Sequence, residues 1–348
     1  MKSRFFYGEQ PIDLLEGVKS VVTTPLRVVF FGSPIDSEQY CELKVAIAQA
    51  IDRCFGESAP VWSLIVQPPF ESGLIAEVWW GDSADRVEYK QLDETKYIVV
   101  HRGEMRRVMV GGLSASLDKT IAEQSRAVCD SITQIITTEQ LEVSDIVRQW
   151  NYIEQITGED RGGQHYQSFN DARSELYGRC EWGSGYPAAT GIGTVVGGVV
   201  IDLDIVQGEQ ITPIDNRLQV SAHNYSKQVL IGEHESRSTP KFERAKLVGD
   251  LLYISGTAAI RGEESLVGVG AGEQTRITLD NIDELLSASE SGDISSLRVY
   301  IKREEDYTQV REVVEQYVAN QAIYVFADIC REELLVEIEA IAYKIIKK

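Results

Sequence analysis

One order of words occurs twice in this chain. Val248-Gly-Asp-Leu-Leu-Tyr-Ile-Ser-Gly256, Glu273-Gln-Thr-Arg276 and the run from Asp293 to Arg298 are echoed by Arg107-Val-Met-Val-Gly-Gly112, Glu123-Gln-Ser-Arg126 and the run from Asp145 to Arg148. Gln124 and Gln274 stand 150 residues apart, and Asp145 and Asp293 stand 148 apart. Repetition at nearly constant spacing predicts two copies of one supersecondary unit, here ordered strand, helix, strand, helix, strand. Two such layers packed side by side leave a cleft between them, which is a natural place for a small-molecule site.

The 348 residues suffice for a duplicated unit with an extension. A formal charge of -20 argues against nucleic acid or an anionic membrane as the main partner, since phosphate binding rests on a positive surface field. An anionic ligand would therefore need a locally basic pocket. The longest apolar runs, Val28 to Phe31 and Val195 to Ile201, are too short to span a bilayer. No signal-type apolar core precedes Glu9, and a soluble cytoplasmic protein is expected. Cys41, Cys54, Cys129, Cys180 and Cys330 form no C-x-x-C pair, and His101, His165, His223 and His234 lack ligand spacing. No disulfide framework, metal or other cofactor is expected. The glycines of Gly191 to Gly198 follow no nucleotide-binding fingerprint and read as a turn into a closing strand.

Residues 1–100 read as an N-terminal α/β extension. Strand-like runs lie at Leu26 to Phe31, Val61 to Val66 and Leu74 to Trp80, and Leu43, Ala46, Ile47, Ala50 and Ile51 mark one face of a helix. The first repeat is placed at 101–225, with helix faces at Val128, Ile132, Ile135, Ile136 and at Phe169, Ala172, Leu176, Tyr177. Its strands are placed at Arg107 to Gly111, Ile146 to Ile153 and Val195 to Ile205. The second repeat, 226–348, carries the corresponding faces at Leu279, Ile282, Leu285, Leu286 and at Val310, Val313, Val314, Tyr317, Val318, with strands at Leu251 to Ser255, Ser296 to Ile301 and Leu334 to Tyr343. The polar, turn-rich stretch Asp215 to Pro240 is expected to lie over the cleft.

The second repeat, through E-Q-T-R-x-T-L-x-N-I and Leu334-Leu-Val-Glu-Ile-Glu-Ala-Ile-Ala342, resembles the Rid (YjgF-type) fold. The resemblance implies an α+β architecture of internally duplicated Rid-like domains, chorismate-mutase-like in outline, with mixed sheets and packed helices. Rid deaminases carry an arginine fifteen residues ahead of the first Glu of V-E-I-E. This chain has Ala322 there and Thr190 in the matching turn of the first repeat, so imine deamination is disfavoured. The whole chain resembles the chorismatases through Val147-Arg-Gln-Trp-Asn-Tyr-Ile153, Tyr166-Gln-Ser-Phe-Asn-Asp-Ala-Arg173, Asn216-Arg-Leu-Gln-Val-Ser-Ala222, Ser238-Thr-Pro-Lys-Phe-Glu-Arg-Ala245 and Ile254-Ser-Gly-Thr-Ala258.

That resemblance implies release of pyruvate from the enolpyruvyl ether of chorismate, with no cofactor. Protonating an enol ether at carbon needs an acid kept neutral near pH 7, and the resemblance puts Glu337 in that role. A carboxyl inside Leu334-Leu-Val-Glu-Ile would have its charged form disfavoured by desolvation. The bland alternative is an outward-facing strand glutamate, since Glu337 and Glu339 share one face. The resemblance also makes Cys330, seven positions before the acid, the mark of a 3-hydroxybenzoate-forming subtype. Alanine there marks the hydrolytic subtype, which gives a dihydroxy-cyclohexadiene carboxylate. Glu243 departs from the alanine or glycine of either subtype and leaves the product open, 4-hydroxybenzoate included. Two substrate carboxylates call for multi-donor anchors, for which Arg148, Arg173 and Arg244 are the candidates. Tyr166, Tyr225 and Gln274 are candidate donors to the ring oxygens, although Gln124 and Gln274 also suit a role stitching helix to strand. A monomer or small homo-oligomer is expected, and a non-catalytic metabolite binder remains the rival reading.

Overall fold

A computed structural model of the chain describes residues 1–226 and 239–345. The linker expected over the cleft lies partly outside them, as do His234 and Ser238. Among the described residues no helix is long and apolar enough to cross a membrane.

The first unit runs β1 (Lys2–Gly8), α1 (Pro11–Val21), β2 (Pro25–Gly32), α2 (Ser37–Phe55), β3 (Val61–Ile65) and β4 (Leu74–Trp80). Proline at the first turn of α1 and the Asp36 side chain accepting from the Gln39 N–H at the start of α2 fix where the helices begin. All eight residues of β2 are buried, as expected of a strand covered on both faces. The strand order is β1-β4-β2-β3, with β2 parallel to β3 and antiparallel to β4.

The next unit opens on a hairpin, β5 (Arg86–Leu92) and β6 (Thr95–Arg102), followed by β7 (Met105–Ser114), α3 (Ile121–Thr138) and β8 (Ile146–Glu154). After the two-residue strands β9 (Glu159–Asp160) and β10 (Gly163–Gln164) come α4 (His165–Tyr177), β11 (Ala188–Thr194) and β12 (Val199–Gln207). A capping box between Thr120 and Glu123 starts α3. The last unit has β13 (Ile211–Ile214), β14 (Ala245–Val248), β15 (Leu251–Ala258), the short β16 (Ile260–Arg261) and β17 (Glu264–Ser265), α5 (Ala271–Ala288), β18 (Ser291–Ile301), α6 (Tyr307–Tyr317), β19 (Ala322–Phe326) and β20 (Val336–Lys344). The two six-stranded sheets, β11-β8-β12-β7-β6-β5 and β19-β18-β20-β15-β14-β13, have the same order strand for strand.

That order contains the first unit as well, because β3-β2-β4-β1 is the same four-strand arrangement without the edge hairpin. The N-terminal α/β extension is thus a third copy of the topology, and the chain is a string of three Rid-like units. The boundary expected between residues 100 and 101 falls inside β6, and β13 precedes the boundary expected at 225/226. One reading needs correcting: Gly191 to Thr194 is not a turn but the end of β11, parallel to β8, and only residues 195–198 turn.

The three sheets meet in one core to which all contribute, including Val29, Trp79, Trp150, Tyr253, Tyr300 and Val325. A separate helix-on-sheet core lies within each unit. The strand that follows the first helix of each unit (β2, β8 and β18) sends a buried arginine into the central region. Arg27 pairs with Asp204 at 2.8 Å, Arg148 with Glu339 at 2.7 Å and Arg298 with Glu77 at 2.5 Å, each pair joining two units in cyclic order. All three guanidiniums lie within 6 Å of the Trp150 ring centroid, at 4.9, 4.6 and 5.6 Å. The unit seams close the same way. The segment after β3 bridges Pro69 to Val325, the segment after β19 bridges Ile329 to Ile192, and the Val195 N–H donates to the Val66 carbonyl at 3.0 Å.

Candidate active site

Three equivalent seams follow from this arrangement, and the register of the closing strand (β4, β12 or β20) against β2, β8 or β18 aligns them. Glu337 lies opposite Tyr300, Asp202 opposite Trp150 and Glu77 opposite Val29, each two positions from the pair containing the central arginine. The same topology therefore puts one carboxyl at the same place in each seam.

At the seam between the second and third units that carboxyl faces a pocket. Helix α4 contributes Tyr166, Asn170 and Arg173, β11 contributes Ala189 and Gly191, β15 contributes Gly256 and Ala258, and the segment entering β14 contributes Phe242 and Arg244. Tyr225, Cys330, Arg331, Leu334 and Glu337 complete most of the wall. Two glycines make the space. A methyl group on Gly256 would lie 2.0 Å from a Glu337 carboxyl oxygen, and one on Gly191 would press on the Tyr166 ring at 3.2 Å. Gly191, one of the glycines that made β11 look like a turn, thus lets α4 approach this volume, and Gly256 on β15 makes room for Glu337 of β20.

Glu337 is 6% exposed, and among the described residues no donor bonds its carboxyl. Burial raises its pKa to about 8, Glu339 pushes the same way, and Arg148 and Arg244 only partly oppose them. Glu339, on the same face of β20 but deeper, accepts from Arg148, from the Trp150 Nε1–H at 2.9 Å and from the Thr190 hydroxyl. Of two carboxyls on one strand face, Glu339 takes the donors, and Glu337 is left without them beside an acidic neighbour that disfavours its ionisation. The Cys330 thiol is pushed up to about 12, first by burial and then by Glu337. It forms a small neutral part of the wall, not a thiolate nucleophile. Burial likewise raises Tyr166, which remains a phenol.

The pocket brings together Tyr166, Arg173, Tyr225, Arg244, Cys330 and Glu337 from the sequence candidates. Arg173 donates to the Asn170 side chain at 2.6 Å, and Arg244 donates to the Val220 carbonyl and the Tyr225 hydroxyl. Three candidates are not on its wall. Arg148 is fully buried beneath it in the ion pair with Glu339. Gln274 donates to the Glu333 carbonyl at 3.1 Å and accepts from the Leu335 N–H at 2.8 Å, so it stitches α5 to the segment carrying Cys330. Glu243 turns its carboxylate to the Tyr186 N–H at 2.9 Å, because side chains on neighbouring extended residues alternate and Arg244 takes the pocket side. Asn170 and Arg331 were missed by the sequence reading. Asn170 sits inside a quoted word four residues after Tyr166, a helical spacing that signals a shared face.

The other two seams hold their carboxyl differently: a cavity between the first and second units is lined by Lys44, Trp62, Ser63, Gly112 and Val200 among others, but Asp202 is not on its wall. Asp202 is fully buried, accepts the Gly112 N–H at 2.7 Å and the Ser63 hydroxyl at 2.8 Å, and burial raises its pKa. Glu77 is held by the Arg298 guanidinium and the Ser296 hydroxyl. Above Glu77, Phe70 stacks on Tyr307 at 4.5 Å between ring centroids, Tyr307 packs edge-on against Tyr324, and Glu71 pairs with Arg311 at 2.7 Å.

Fold and seam together define a Rid/YjgF-type protein whose three units are joined in one chain, with a carboxyl on the wall of the pocket between the second and third units. Residues 77–203 match the family described as "Chorismatase FkbO/Hyg5-like, N-terminal", and residues 233–344 match "Endoribonuclease L-PSP". The chain is 29% identical over 289 residues to a 3-hydroxybenzoate synthase of Streptomyces hygroscopicus, covering 76% of this chain and 81% of that one. It is 28% identical over 309 residues to a chorismatase of the same organism, covering 83% and 79%. A chorismatase crystal structure superposes with a TM-score of 0.73 at 23% identity over 98% of this chain and 97% of the other. The chain belongs to the chorismatase family of enzymes.

Proposed function

We propose that this enzyme cleaves the enolpyruvyl ether of chorismate to pyruvate and 3-hydroxybenzoate, with Glu337 as the acid. The observation that carries the reading is a carboxyl of pKa about 8 on the wall of a pocket whose other ionisable groups include three arginines. The Glu337 proton goes to the terminal methylene carbon, and the electron pair of the C=C bond forms the new C–H bond. The resulting oxocarbenium ion is trapped by the neighbouring ring hydroxyl. The cyclic ketal so formed opens at the ring C–O bond of the former hydroxyl, and loss of the proton from the adjacent ring carbon makes the ring aromatic with the ether oxygen retained on it. Cleavage between the pyruvyl carbon and that ether oxygen then releases pyruvate and 3-hydroxybenzoate, the hydroxyl's proton passing to the phenolate oxygen, with no net water consumed. The ring proton replaces the one Glu337 gave up. Arg173 and Arg244 suit an anionic substrate, because each is almost fully buried yet hydrogen-bonded only to neutral acceptors among the described residues.

The relatives named for 3-hydroxybenzoate synthesis and for chorismate cleavage support the substrate class. Cys330 on the wall supports the aromatic product over the hydrolytic one, by restricting where water can stand. The deaminase reading has less behind it, since Thr190 is engaged with Glu339 and Ala322 offers no cation. Purified protein incubated with chorismate, with products resolved by chromatography, tests the proposal. Pyruvate with 3-hydroxybenzoate, lost in Glu337→Gln, is expected. Pyruvate with a dihydrodiol would overturn the role given to Cys330, and unchanged chorismate would overturn the activity.

A further inference from the structure

The pocket holds more positive charge than a single carboxylate requires, in a protein whose net charge is -20. Arg173, Arg244 and Arg331 all line it, and none of them pairs with a carboxylate among the described residues. Arg331 is tied down by neutral acceptors alone: one guanidinium nitrogen donates to the Glu263 carbonyl at 3.2 Å and to the Ser265 hydroxyl at 3.0 Å. It is 9% exposed, and its guanidinium lies over the Tyr225 ring at 5.3 Å, a ring that Arg244 also covers at 5.4 Å. A buried guanidinium held in place by uncharged groups keeps its charge uncompensated until a ligand arrives. The segment that carries it is peculiar to this seam. Residues 327–335 supply Cys330 and Arg331, whereas the corresponding segments of the other units supply Phe70 and Glu71, or the turn Val195-Val196-Gly197-Gly198.

We propose that Arg331 holds the ring carboxylate of the substrate and thereby selects a dicarboxylate, while Arg244 holds the enolpyruvyl carboxylate beside Glu337. This rests on the reading of the pocket as a chorismate site. The assignment follows from the shape of the substrate. The enolpyruvyl carboxylate is attached to the carbon next to the methylene that receives the proton, so its anchor must stand near Glu337. Arg244 stands on that side of the pocket: its carbonyl accepts from the Ser255 N–H at 3.0 Å, and the next residue, Gly256, is the one at which an added methyl would meet the Glu337 carboxyl. The ring carboxylate lies at the other end of the molecule and needs a separate cation. Arg331 adjoins Cys330 and belongs to the segment between β19 and β20, separate in the chain from the segment bearing Arg244. Arg173, tethered to Asn170 on α4, supplies the remaining positive charge.

Two monocarboxylates separate the two ends. Benzoate carries only the ring-type carboxylate and pyruvate only the side-chain one, and each is titrated calorimetrically into the full chain as wild type, Arg331→Gln, Arg331→Lys and Arg244→Gln. Arg331→Gln should weaken benzoate about tenfold or more and leave pyruvate within about twofold. Arg244→Gln should do the reverse, and Arg331→Lys should fall between wild type and Arg331→Gln for benzoate because it keeps charge but loses the fork. An unchanged Tm shows that the variants are folded. Equal binding of benzoate by wild type and Arg331→Gln, loss of pyruvate instead of benzoate, or no benzoate binding by wild type would each overturn the inference. Chorismate turnover is scored separately. Benzoate held through Arg331 in a wild type that leaves chorismate intact would remove the catalytic reading and keep the carboxylate site.

Discussion

The seam holding Glu337 and the seam holding Glu77 are the same construction with opposite outcomes. Both place a glutamate on the closing strand, opposite the strand that follows the first helix of its own unit and facing a neighbouring unit. In one, no donor among the described residues reaches the carboxyl, β11 puts only Ala189 and Gly191 on the pocket wall, and the segment above carries Cys330 and Arg331. In the other, Arg298 and Ser296 satisfy the carboxylate and Phe70 fills the space on Tyr307. The Asp202 seam lies between them, with the acid sealed by a backbone N–H and a serine hydroxyl. The Glu337 carboxyl is pushed toward its neutral form by having hydrogen bonds withheld while an acidic neighbour is kept close.

Glu337→Gln should lower kcat by about 10²- to 10⁴-fold, while Asp202→Asn leaves kcat within a few-fold. A comparable loss from Asp202→Asn in steady-state assays would show that the chemistry is not confined to one seam. Arg298→Gln strands Glu77 in the core and should cost about 3–5 kcal/mol in urea unfolding. Adding Glu77→Gln should recover part of that, and no recovery would mean that the pair is not what closes this seam.

The pH profile sharpens the contrast. Glu337 must hold its proton to act, so turnover should fall as pH rises through about 8. Its folded pKa is raised above the ordinary value of 4.5. Its contribution to stability is therefore fully present below that value and lost as pH rises through about 8. Glu337→Gln should flatten the decline in Tm over that window, and an equally steep decline in the variant would place the titrating group elsewhere. The smallest effect belongs to Phe70→Ala. As a half-buried plug it should cost about 1–3 kcal/mol with kcat unchanged, read by thermal unfolding beside chorismate turnover.

Most of the second and third units was legible because their words repeat. Gln124 and Gln274 make the same stitch in both, from helix to backbone, and a residue serving the same geometry twice is retained twice. The first unit shares the topology but none of those words. Only Arg27, on a strand buried on both faces, betrays it, and a buried strand reads as an apolar run whatever fold it joins. The strand β11 was hidden by its composition, since Gly191 and Gly193 read as turn residues although they serve close approach. Arg148 looked like a substrate anchor because it sits in a family-like word, and sequence does not tell an arginine facing a ligand from one facing Glu339. Arg331 was overlooked for the opposite reason: Arg331-Glu332-Glu333 reads as a solvated run of charge, and only the fold turns the first member inward.

Joining the three units in one polypeptide has a genetic consequence. In an assembly of three identical chains each substitution arrives at every seam, so a Phe70 that closes one would close all and a Glu337 that loses its donors would do so in triplicate. Here each seam has its own codons. The Arg27, Arg148 and Arg298 pairs can keep the assembly together while one interface gives up stabilising contacts for an acid and an asymmetric set of arginines. A ligand with two unlike ends suits such a chain, because nothing obliges the two walls that meet it to be copies of each other.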